Sequence, residues 1–225
     1  MIDAKQAAGR RAAEMVEDGM VVGLGTGSTA SQAIVALGER VRAGLKLRAA
    51  VSSSVASEEL ARRVGIAVTP FDDLDGPVDV TIDGADEVDP CFRLIKGGGG
   101  ALVREKLLAV ASRKMIVVAD AAKMVATLGA FPLPVAVLPF SYRRTLARLQ
   151  EIAPAPLRMR DGAPFVSDDG LYIADLALGR IEDPEGLYQR LRLTPGVADA
   201  GLFLGIAACV VVGGDDGRTE IRERG

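Results

Sequence analysis

The sequence predicts an α/β fold with a doubly wound, mostly parallel sheet, accompanied by a smaller α+β domain of the ferredoxin-like type. Short, continuous apolar runs alternate with segments of helical period, which is typical of parallel strands joined by crossover helices. After Phe131-Pro132-Leu133-Pro134 the order of elements changes to βαββαβ. We therefore predict a discontinuous first domain, 1–130 and 204–225, and a small second domain, 131–203.

The elements of the first domain are predicted in order from their apolar periodicity and their flanking glycines. The first helix, for example, is expected to stop at Asp18-Gly19. We predict helices at 4–17, 29–41, 55–64 and 101–112, and strands at 20–24, 47–51, 66–68, 78–82 and 115–119.

The later elements follow from the same patterns. We predict strands at 135–138, 157–160, 171–176 and 197–203, and helices at 141–151 and 184–193. A closing hairpin, 207–212 and 218–221, is expected to return to the first domain.

Composition restricts the function classes. The 225 residues are 49% hydrophobic and 25% charged, and the net charge of −3 offers no general attraction to nucleic acid or anionic lipid. We therefore expect a small anionic metabolite as ligand, and neither nucleic acid nor a membrane as partner. The N-terminus shows no signal-peptide pattern and no run of about 18 apolar residues occurs, so we expect neither export nor membrane insertion.

Histidine is absent, and the two cysteines, Cys91 and Cys209, lie far apart without a C-x-x-C spacing. The sequence therefore suggests no disulfide framework and no zinc site, and a reduced, cytoplasmic location is expected. The commonest general base is also missing, so acid–base chemistry must rely mainly on carboxylates or lysines.

Residues suited to binding a phosphorylated small molecule follow four of the predicted strands. Because open α/β sheets bind ligands at the carboxyl ends of their strands, we expect these segments to form one crevice. They are Gly25-Thr26-Gly27-Ser28-Thr29, Ser52-Ser53-Ser54, Asp83-Gly84-Ala85-Asp86-Glu87 and Ala119-Asp120-Ala121-Ala122-Lys123.

The loop 25–29 has two interpretations. Its glycines and the start of the next helix favour a phosphate site, to which the Ser28 and Thr29 hydroxyls would contribute donors. It is equally compatible with a plain glycine turn in which Thr29 is only an N-cap. The segment 25–30 also fits the pattern G-x-G-x-x-A, but no acid ends the next strand, so a dinucleotide site is disfavoured.

The acids at 83–89 could bind sugar hydroxyls or move protons, but they could also form a solvated turn or a divalent cation site. We disfavour a metal because Lys96 and Lys123 already supply positive charge. The segment Lys96-Gly97-Gly98-Gly99-Gly100 could cradle oxyanions through successive N–H groups. A flexible loop is the alternative, but ordering four glycines costs chain entropy, which favours a role in close approach to a ligand. Glu105 follows near the start of a helix, whose dipole favours its ionised form.

These motifs resemble those of type A ribose-5-phosphate isomerases, and the resemblance covers nearly the whole chain. It is carried by the four strand-end segments, by Gly23-Leu24 before the first of them, and by Lys96-Gly97-Gly98-Gly99-Gly100-Ala101-Leu102, Arg104-Glu105-Lys106 and Leu128-Gly129-Ala130-Phe131-Pro132-Leu133-Pro134-Val135. The sequence departs from the family pattern at Ala136, where members often carry Glu in Pro-x-Glu-Val. We expect that change to affect packing or a salt bridge at the domain junction, but no catalytic role.

The resemblance implies interconversion of ribose 5-phosphate and ribulose 5-phosphate in the pentose phosphate pathway, without metal or other cofactor. It implies that Glu105 is the base, that Asp83 and Lys96 assist ring opening and stabilise the enediolate, and that Asp86 binds sugar hydroxyls. The remaining substrate-binding residues it implies are Lys5, Thr26, Gly27, Ser28, Thr29, Gly84, Ala85, Gly97, Gly98, Gly99 and Lys123.

Related folds leave other functions open, chiefly a phosphosugar-sensing domain without turnover. A DNA-binding regulator would need a helix-turn-helix, for which about 19 residues before the first strand are too few. A CoA transferase with a nucleophilic Glu would be expected to be longer or to have a partner subunit. We expect an enzyme that is a homodimer or a dimer of dimers.

Overall fold

The structure, a computed structural model, describes residues 3–224. Its helices are α1 (Ala4–Ala13), α2 (Ser28–Arg42), α3 (Val55–Arg63), α4 (Leu102–Val110), α5 (Tyr142–Gln150) and α6 (Pro184–Arg192). Its strands are β1 (Val21–Leu24), β2 (Ala49–Ser52), β3 (Val78–Gly84), β4 (Glu87–Val88), β5 (Leu94–Ile95), β6 (Ser112–Asp120), β7 (Leu133–Val137), β8 (Met159–Arg160), β9 (Ala163–Pro164), β10 (Tyr172–Leu176), β11 (Val197–Ala200), β12 (Leu202–Phe203), β13 (Ala207–Gly213) and β14 (Thr219–Glu223). None of the helices in the described chain is long and apolar enough to cross a membrane.

The chain forms two compact units. The first unit comprises Met1–Ala85, Arg104–Met124 and Ile206–Gly225, and the second comprises Asp86–Val103 and Val125–Gly205. This division differs from the predicted domains, because 86–103, 125–130 and 204–205 group with the second unit. The reason is local pairing: β5 pairs with β12, and the Val125 N–H donates to the Val88 carbonyl.

The first unit contains a six-stranded sheet in the order β14-β13-β6-β3-β1-β2. All its neighbouring strands are parallel except β13 and β14, which form the predicted closing hairpin. Val21 and Val22 are successive residues of β1 and therefore face opposite sides of the sheet. Val22 packs in a core with α1 and α2, and Val21 packs with Leu108 of α4. Helices thus cover both faces, as predicted for a doubly wound sheet.

The second unit is built on an antiparallel sheet in the order β10-β7-β11, with α5 and α6. The segment 154–158 runs beside β10 through hydrogen bonds such as Arg158 N–H to the Ile173 carbonyl, at 2.7 Å. This gives the strand sequence expected for βαββαβ, with an irregular second strand. Ala136 is fully buried among Leu102, Phe165 and Ile173.

Three predicted elements are corrected. The strand at 66–68 does not form, and only the Thr69 N–H reaches edge strand β2, at the Ala50 carbonyl. The first helix ends at Ala13 rather than 17, where the Arg40 guanidinium donates to the carbonyls of Ala13 and Val16. The strand at 197–203 breaks at Gly201 into β11 and β12, which belong to different sheets.

Candidate functional site

Four loops meet where strands of the first unit's sheet end, along what we call the carboxyl edge of the sheet. Strands β2, β1, β3 and β6 are parallel neighbours, so their carboxyl ends lie on the same side. The strand ends lie within a few residues of one another, because Leu24 is paired with Ser52 and with Ile82, and Gly84 with Val118. The residues that follow these strands are therefore adjacent, as the sequence predicted.

The start of α2 is suited to an anion. Ser28 is the first residue of the helix, and Gly27 precedes it with a φ of 106°, which favours glycine. The N-cap is Gly27, which provides no side-chain cap, so the interpretation of Thr29 as an N-cap is wrong. The first N–H groups of a helix have no intrahelical acceptors and carry partial positive charge. Lys5 adds a full positive charge there, since its Nζ donates to Ser28 Oγ at 3.0 Å.

The glycine loop before α2 is fixed by a cluster of hydroxyl groups. Thr26 Oγ1 lies 2.8 Å from both Ser53 Oγ and Ser54 Oγ, and Ser57 Oγ donates to the Gly25 carbonyl at 2.6 Å. Ser53, Ser54 and Ser57 are buried. These serines therefore hold the loop in place, and a direct contact between 52–54 and a ligand stays a prediction.

Asp83 anchors the same loop from β3. Its carboxylate is fully buried, and Oδ1 accepts hydrogen bonds from the N–H groups of Thr26 at 2.9 Å and Gly84 at 2.7 Å. A Cβ on Gly25 would lie 2.2 Å from this oxygen, so only glycine allows the loop to approach so closely. The Asp83 carboxylate and the loop that leads into α2 are thus part of one hydrogen-bonded structure.

Two further predicted residues belong to the first unit. Glu105 lies in the first turn of α4 and is 3% exposed, which is unusual for a glutamate. Lys123 ends a short 3-10 helix, Ala121–Lys123, that follows β6. Ala121 and Ala122 of that helix line the same surface pocket as Lys5, together with 213–215.

The second unit contains the other glycine loop. The Gly100 N–H donates to the Gly97 carbonyl at 2.9 Å, and both glycines have positive φ, 102° at Gly97 and 88° at Gly100. Asp86 supports the turn, since its Oδ2 accepts from the Gly98 N–H at 2.8 Å. Gly98 and Gly99 are exposed, so the loop presents backbone groups to its surroundings.

Lys96 precedes this loop and is one of the largest fully buried side chains of the described chain, at 2% exposure. Its backbone N–H donates to the Gly201 carbonyl at 2.8 Å, and its Nζ lies 5.4 Å from the centre of the Phe203 ring. A buried ammonium over an aromatic face is held in a defined position.

Glu87 has a structural task that the acid-rich run did not reveal. Its buried carboxylate accepts hydrogen bonds from the N–H groups of Gly129 and Phe131, both at 2.6 Å. Within residues 3–224, no group of three or more Asp, Glu or Cys side chains is arranged to hold a metal ion. Independence from metal nevertheless stays a prediction for experiment.

Sequence reasoning missed two contributors, Ser57 and Arg158. Ser57 carries a weak signal, since it follows the N-cap Ser54 by three residues and donates its N–H to that hydroxyl. Arg158 contacts the carbonyls of Gly97 and Gly98 from about 60 positions along the chain, as its separations of 61 and 60 show. No local pattern announces such a contact.

Open parallel sheets bind ligands at the carboxyl ends of their strands, and a helix that starts there favours an anion such as a phosphate, so this arrangement is typical of α/β proteins that bind phosphorylated ligands. The family model of ribose 5-phosphate isomerase A (phosphoriboisomerase A) matches residues 49–217. The chain therefore belongs to the ribose 5-phosphate isomerase A family.

Relatives and solved structures agree with this assignment. The ribose-5-phosphate isomerase A of Parvibaculum lavamentivorans is 50% identical, with 98% of each chain covered. That of Methylorubrum extorquens is 51% identical, covering 97% of this chain and 95% of the relative. The solved ribose 5-phosphate isomerase A of Methanocaldococcus jannaschii has a TM-score of 0.91 at 35% identity and 97% coverage of both chains. A solved D-ribose-5-phosphate isomerase in complex with phospho-erythronic acid has a TM-score of 0.92 at 37% identity, covering 98% of this chain and 97% of that one.

Proposed function

We propose that the chain interconverts D-ribose 5-phosphate and D-ribulose 5-phosphate through an enediolate, as an aldose-ketose isomerase of the pentose phosphate pathway. Its membership of the isomerase family supports this function. The observation that carries it is the Thr26 N–H donating to Asp83, because it ties the anion-binding start of α2 to a buried carboxylate. A phosphorylated sugar offers both an anion and hydroxyl groups.

The substrate phosphate is assigned to the start of α2. The N–H groups and hydroxyls of 26–29 would donate to its oxygens, and Lys5 would neutralise part of its charge. We assign Lys123 to the same phosphate because it ends the short helix Ala121–Lys123, whose first two residues line the same pocket as Lys5. The complex of a related isomerase with phospho-erythronic acid supports a phosphorylated sugar as the ligand class.

The proton transfer is assigned to Glu105. In the open-chain aldose its carboxylate would take the proton from C2, the C–H electron pair would form the C1–C2 double bond, and the aldehyde oxygen would become anionic. Return of the proton to C1 and movement of the O2 proton to O1 would give the ketose. Without histidine, a carboxylate is the natural base for this step.

The remaining groups would stabilise the intermediate and open the ring. Lys96 and the glycine loop 97–99 are assigned to the enediolate oxygens, since fixed donors stabilise developing negative charge. Within the loop the Gly99 N–H is the donor assigned to the substrate, because the Gly98 N–H already donates to Asp86 Oδ2. Asp83, with Gly84 and Ala85, would assist ring opening, and Asp86 would bind sugar hydroxyls. We propose these roles because the residues match the motifs of the isomerase family.

The test is ketose formation from ribose 5-phosphate by the purified protein in excess EDTA. We expect turnover that survives chelation. Binding of the sugar phosphate without turnover would instead identify a sensing domain. Activity lost in EDTA and regained with Mg²⁺ or Mn²⁺ would mean that the acids at 83–87 hold a metal.

We also propose a cytoplasmic homodimer or dimer of dimers. Phe140 and Leu193 support an oligomer, because these large apolar side chains are 90% and 82% exposed and an interface would cover them. Light scattering coupled to size-exclusion chromatography would give the mass in solution. A monomer at micromolar concentration would refute the oligomer.

A further inference from the structure

The glycine loop 97–100 is held by an arginine from a distant part of the second unit. Arg158 Nη1 donates to the Gly97 carbonyl at 3.0 Å and to the Gly98 carbonyl at 2.9 Å. A single guanidinium nitrogen thus bridges two consecutive carbonyls of the loop. This contact restricts the rotation of both peptide planes.

One of these planes is held from both sides. The peptide between Gly97 and Gly98 offers its carbonyl to Arg158 and its N–H to Asp86 Oδ2, the latter at 2.8 Å. A trans peptide is planar, and its C=O and N–H groups point in opposite directions. Arg158 and Asp86 therefore fix the same plane by opposite edges.

The next plane follows the same geometry. The Gly98 carbonyl accepts from Arg158, so the N–H of Gly99, in the same planar peptide, is directed away from the guanidinium. Gly98 and Gly99 are exposed. The arginine thus determines the direction in which the loop offers the Gly99 donor.

Arg158 is itself held firmly. Its Nε donates to Asp175 Oδ2 at 2.9 Å and its Nη2 donates to Oδ1, which makes a bidentate pair across neighbouring strand positions. Its backbone carbonyl accepts from the Phe165 N–H, and the Phe165 ring lies against Gly100, where a Cβ would come within 2.3 Å of it. The side chain is only 16% exposed.

We propose that Arg158 is a positioning residue of the isomerase reaction. With Asp175, it orients the peptides of 97–99 so that Asp86 engages Gly98 and the Gly99 N–H is available to a substrate oxygen. This inference rests on the function proposed above, and it adds a residue that none of the motifs contains. A lysine could not replace it, because a single ammonium lacks the planar fork that serves the carboxylate and both carbonyls together.

A purely structural ion pair would behave differently. It would lower thermal stability when broken, but it would leave turnover unchanged at temperatures where the variant is folded. A positioning role predicts a loss of kcat with little change in KM, because the proposal assigns the loop to the reacting end of the sugar and α2 to its phosphate. The two explanations are therefore separable by kinetics.

The experiment compares Arg158→Met, Arg158→Lys and Asp175→Asn with the control Arg160→Met. Arg160 lies over the same Phe165 ring, at 4.4 Å from its centre, and its guanidinium forms no hydrogen bond with the loop in the part of the chain that the structure describes. We expect kcat to fall about 10- to 100-fold in Arg158→Met, since displacement of a reacting group by about 1 Å can cost that much. Arg158→Lys should resemble Arg158→Met, and Asp175→Asn should lie between it and the wild type.

Binding supplies a second readout that does not depend on turnover. Phospho-erythronic acid contains a planar carboxylate in the place of the reacting carbons, so its affinity should fall in Arg158→Met, while inhibition by inorganic phosphate should not change. Wild-type kcat and wild-type affinity in both Arg158 variants, or equal losses in Arg160→Met, would overturn the inference. If Arg158→Met does not fold, Asp175→Asn decides by the same measurements. Absence of turnover in the wild type would refute the proposed function instead.

Discussion

Asp83 Oδ1 accepts a hydrogen bond from the backbone N–H of Thr26 at 2.9 Å, which joins the end of β3 to the loop after β1. The same oxygen accepts from the Gly84 N–H. Oδ1 of Asp83 therefore has a structural task. The charge of the group can be removed without removing this acceptor.

Asp83→Asn separates this structural task from the ring-opening role proposed for the Asp83 carboxylate. The amide oxygen can still accept from both N–H groups, so the protein should fold with a nearly unchanged melting temperature. Conversion of ribose 5-phosphate should nevertheless fall by about 10²-fold, the usual contribution of a general acid or base. Exchange of the C1 hydrogen of ribulose 5-phosphate with solvent deuterium should be less affected, since the ketose is an open chain and its exchange needs no ring opening.

Asp79→Asn is the matched control. Asp79 lies near the other end of the same strand, and its Oδ2 accepts from the Val21 N–H at 2.8 Å. The substitution resembles Asp83→Asn chemically but is remote from the carboxyl edge of the sheet, so kcat should not change. Equal losses of exchange and of net conversion in Asp83→Asn would contradict the ring-opening role.

The carboxyl edge of the first unit could be predicted because its signals are local. Parallel strands covered on both faces are continuous apolar runs, and glycines and acids directly follow them. The structure adds the hydrogen bond by which Asp83 anchors the loop 25–29. The contact itself joins residues 57 positions apart, so it could not be seen before β1 and β3 were known to be neighbours.

The surroundings of the second glycine loop could not be predicted for the same reason. Strands β4 and β5 have two residues each, too few for a periodicity. Arg158 and Glu87 act over 60 and more than 40 positions respectively. A pattern of residue types indicates that an acid is present. It does not indicate whether the carboxylate of that acid already accepts hydrogen bonds from backbone N–H groups.

Phosphate binding by Lys5 can be tested with Lys5→Met. Its Nζ donates to Ser28 Oγ at 3.0 Å, beside the start of α2. Loss of a charged hydrogen bond costs about 1.5–3 kcal/mol, which corresponds to a rise in KM of about 10- to 100-fold. The kcat should change little, because the phosphate is remote from the reacting carbons.

Lys46→Met serves as the control. Lys46 is exposed, and its backbone N–H donates to the Asp18 carboxylate. Lys123→Ala should raise KM in the same way as Lys5→Met. Unphosphorylated ribose should be a very poor substrate for the wild type. Equal kcat/KM for ribose and its 5-phosphate would refute a phosphate site.

Glu87→Gln should destabilise the second unit without changing the chemistry directly. The carboxylate accepts from both Gly129 and Phe131, whereas an amide offers only one oxygen and turns N–H donors toward the other N–H group. We expect a loss of about 2–3 kcal/mol in the free energy of unfolding, measured by urea denaturation. The exposed Glu185, 3.3 Å from Arg93, is the comparison, and Glu185→Gln should cost less than about 1 kcal/mol. Equal costs would show that Glu87 does not hold the two N–H groups.

Tyr188 predicts an alkaline dependence of stability. Burial, followed by the adjacent Asp199 carboxylate, raises the pKa of Tyr188 to about 12. The unfolded chain therefore loses the phenol proton near pH 10 and the folded chain only near pH 12, so the stabilisation is complete below pH 10 and is lost as the pH rises to about 12.

The variant Tyr188→Phe lacks this titration. It should be less stable than the wild type at pH 8, because the hydrogen bond from the hydroxyl to Asp199 Oδ1 at 3.0 Å is missing. The difference in melting temperature should shrink between pH 10 and 12. A constant difference across that interval would mean that the phenol titrates equally in both states.

Glu105 is the proposed base, and its position supports a single decisive experiment. It lies in the first turn of α4, it is buried, and no histidine exists to replace it. Glu105→Gln keeps the size of the side chain but cannot accept a proton, so kcat should fall by about 10²–10⁴ with little change in KM. Glu58→Gln is the control, because Glu58 occupies the first turn of α3 in the same unit.

The rival bases are Asp83 and Asp86, and exchange of the substrate C2 hydrogen with solvent deuterium discriminates among them. Exchange at the wild-type rate in Glu105→Gln would assign the proton transfer to one of these aspartates, whereas its loss, with exchange of the C1 hydrogen of the open-chain ribulose 5-phosphate kept in Asp83→Asn, assigns it to Glu105.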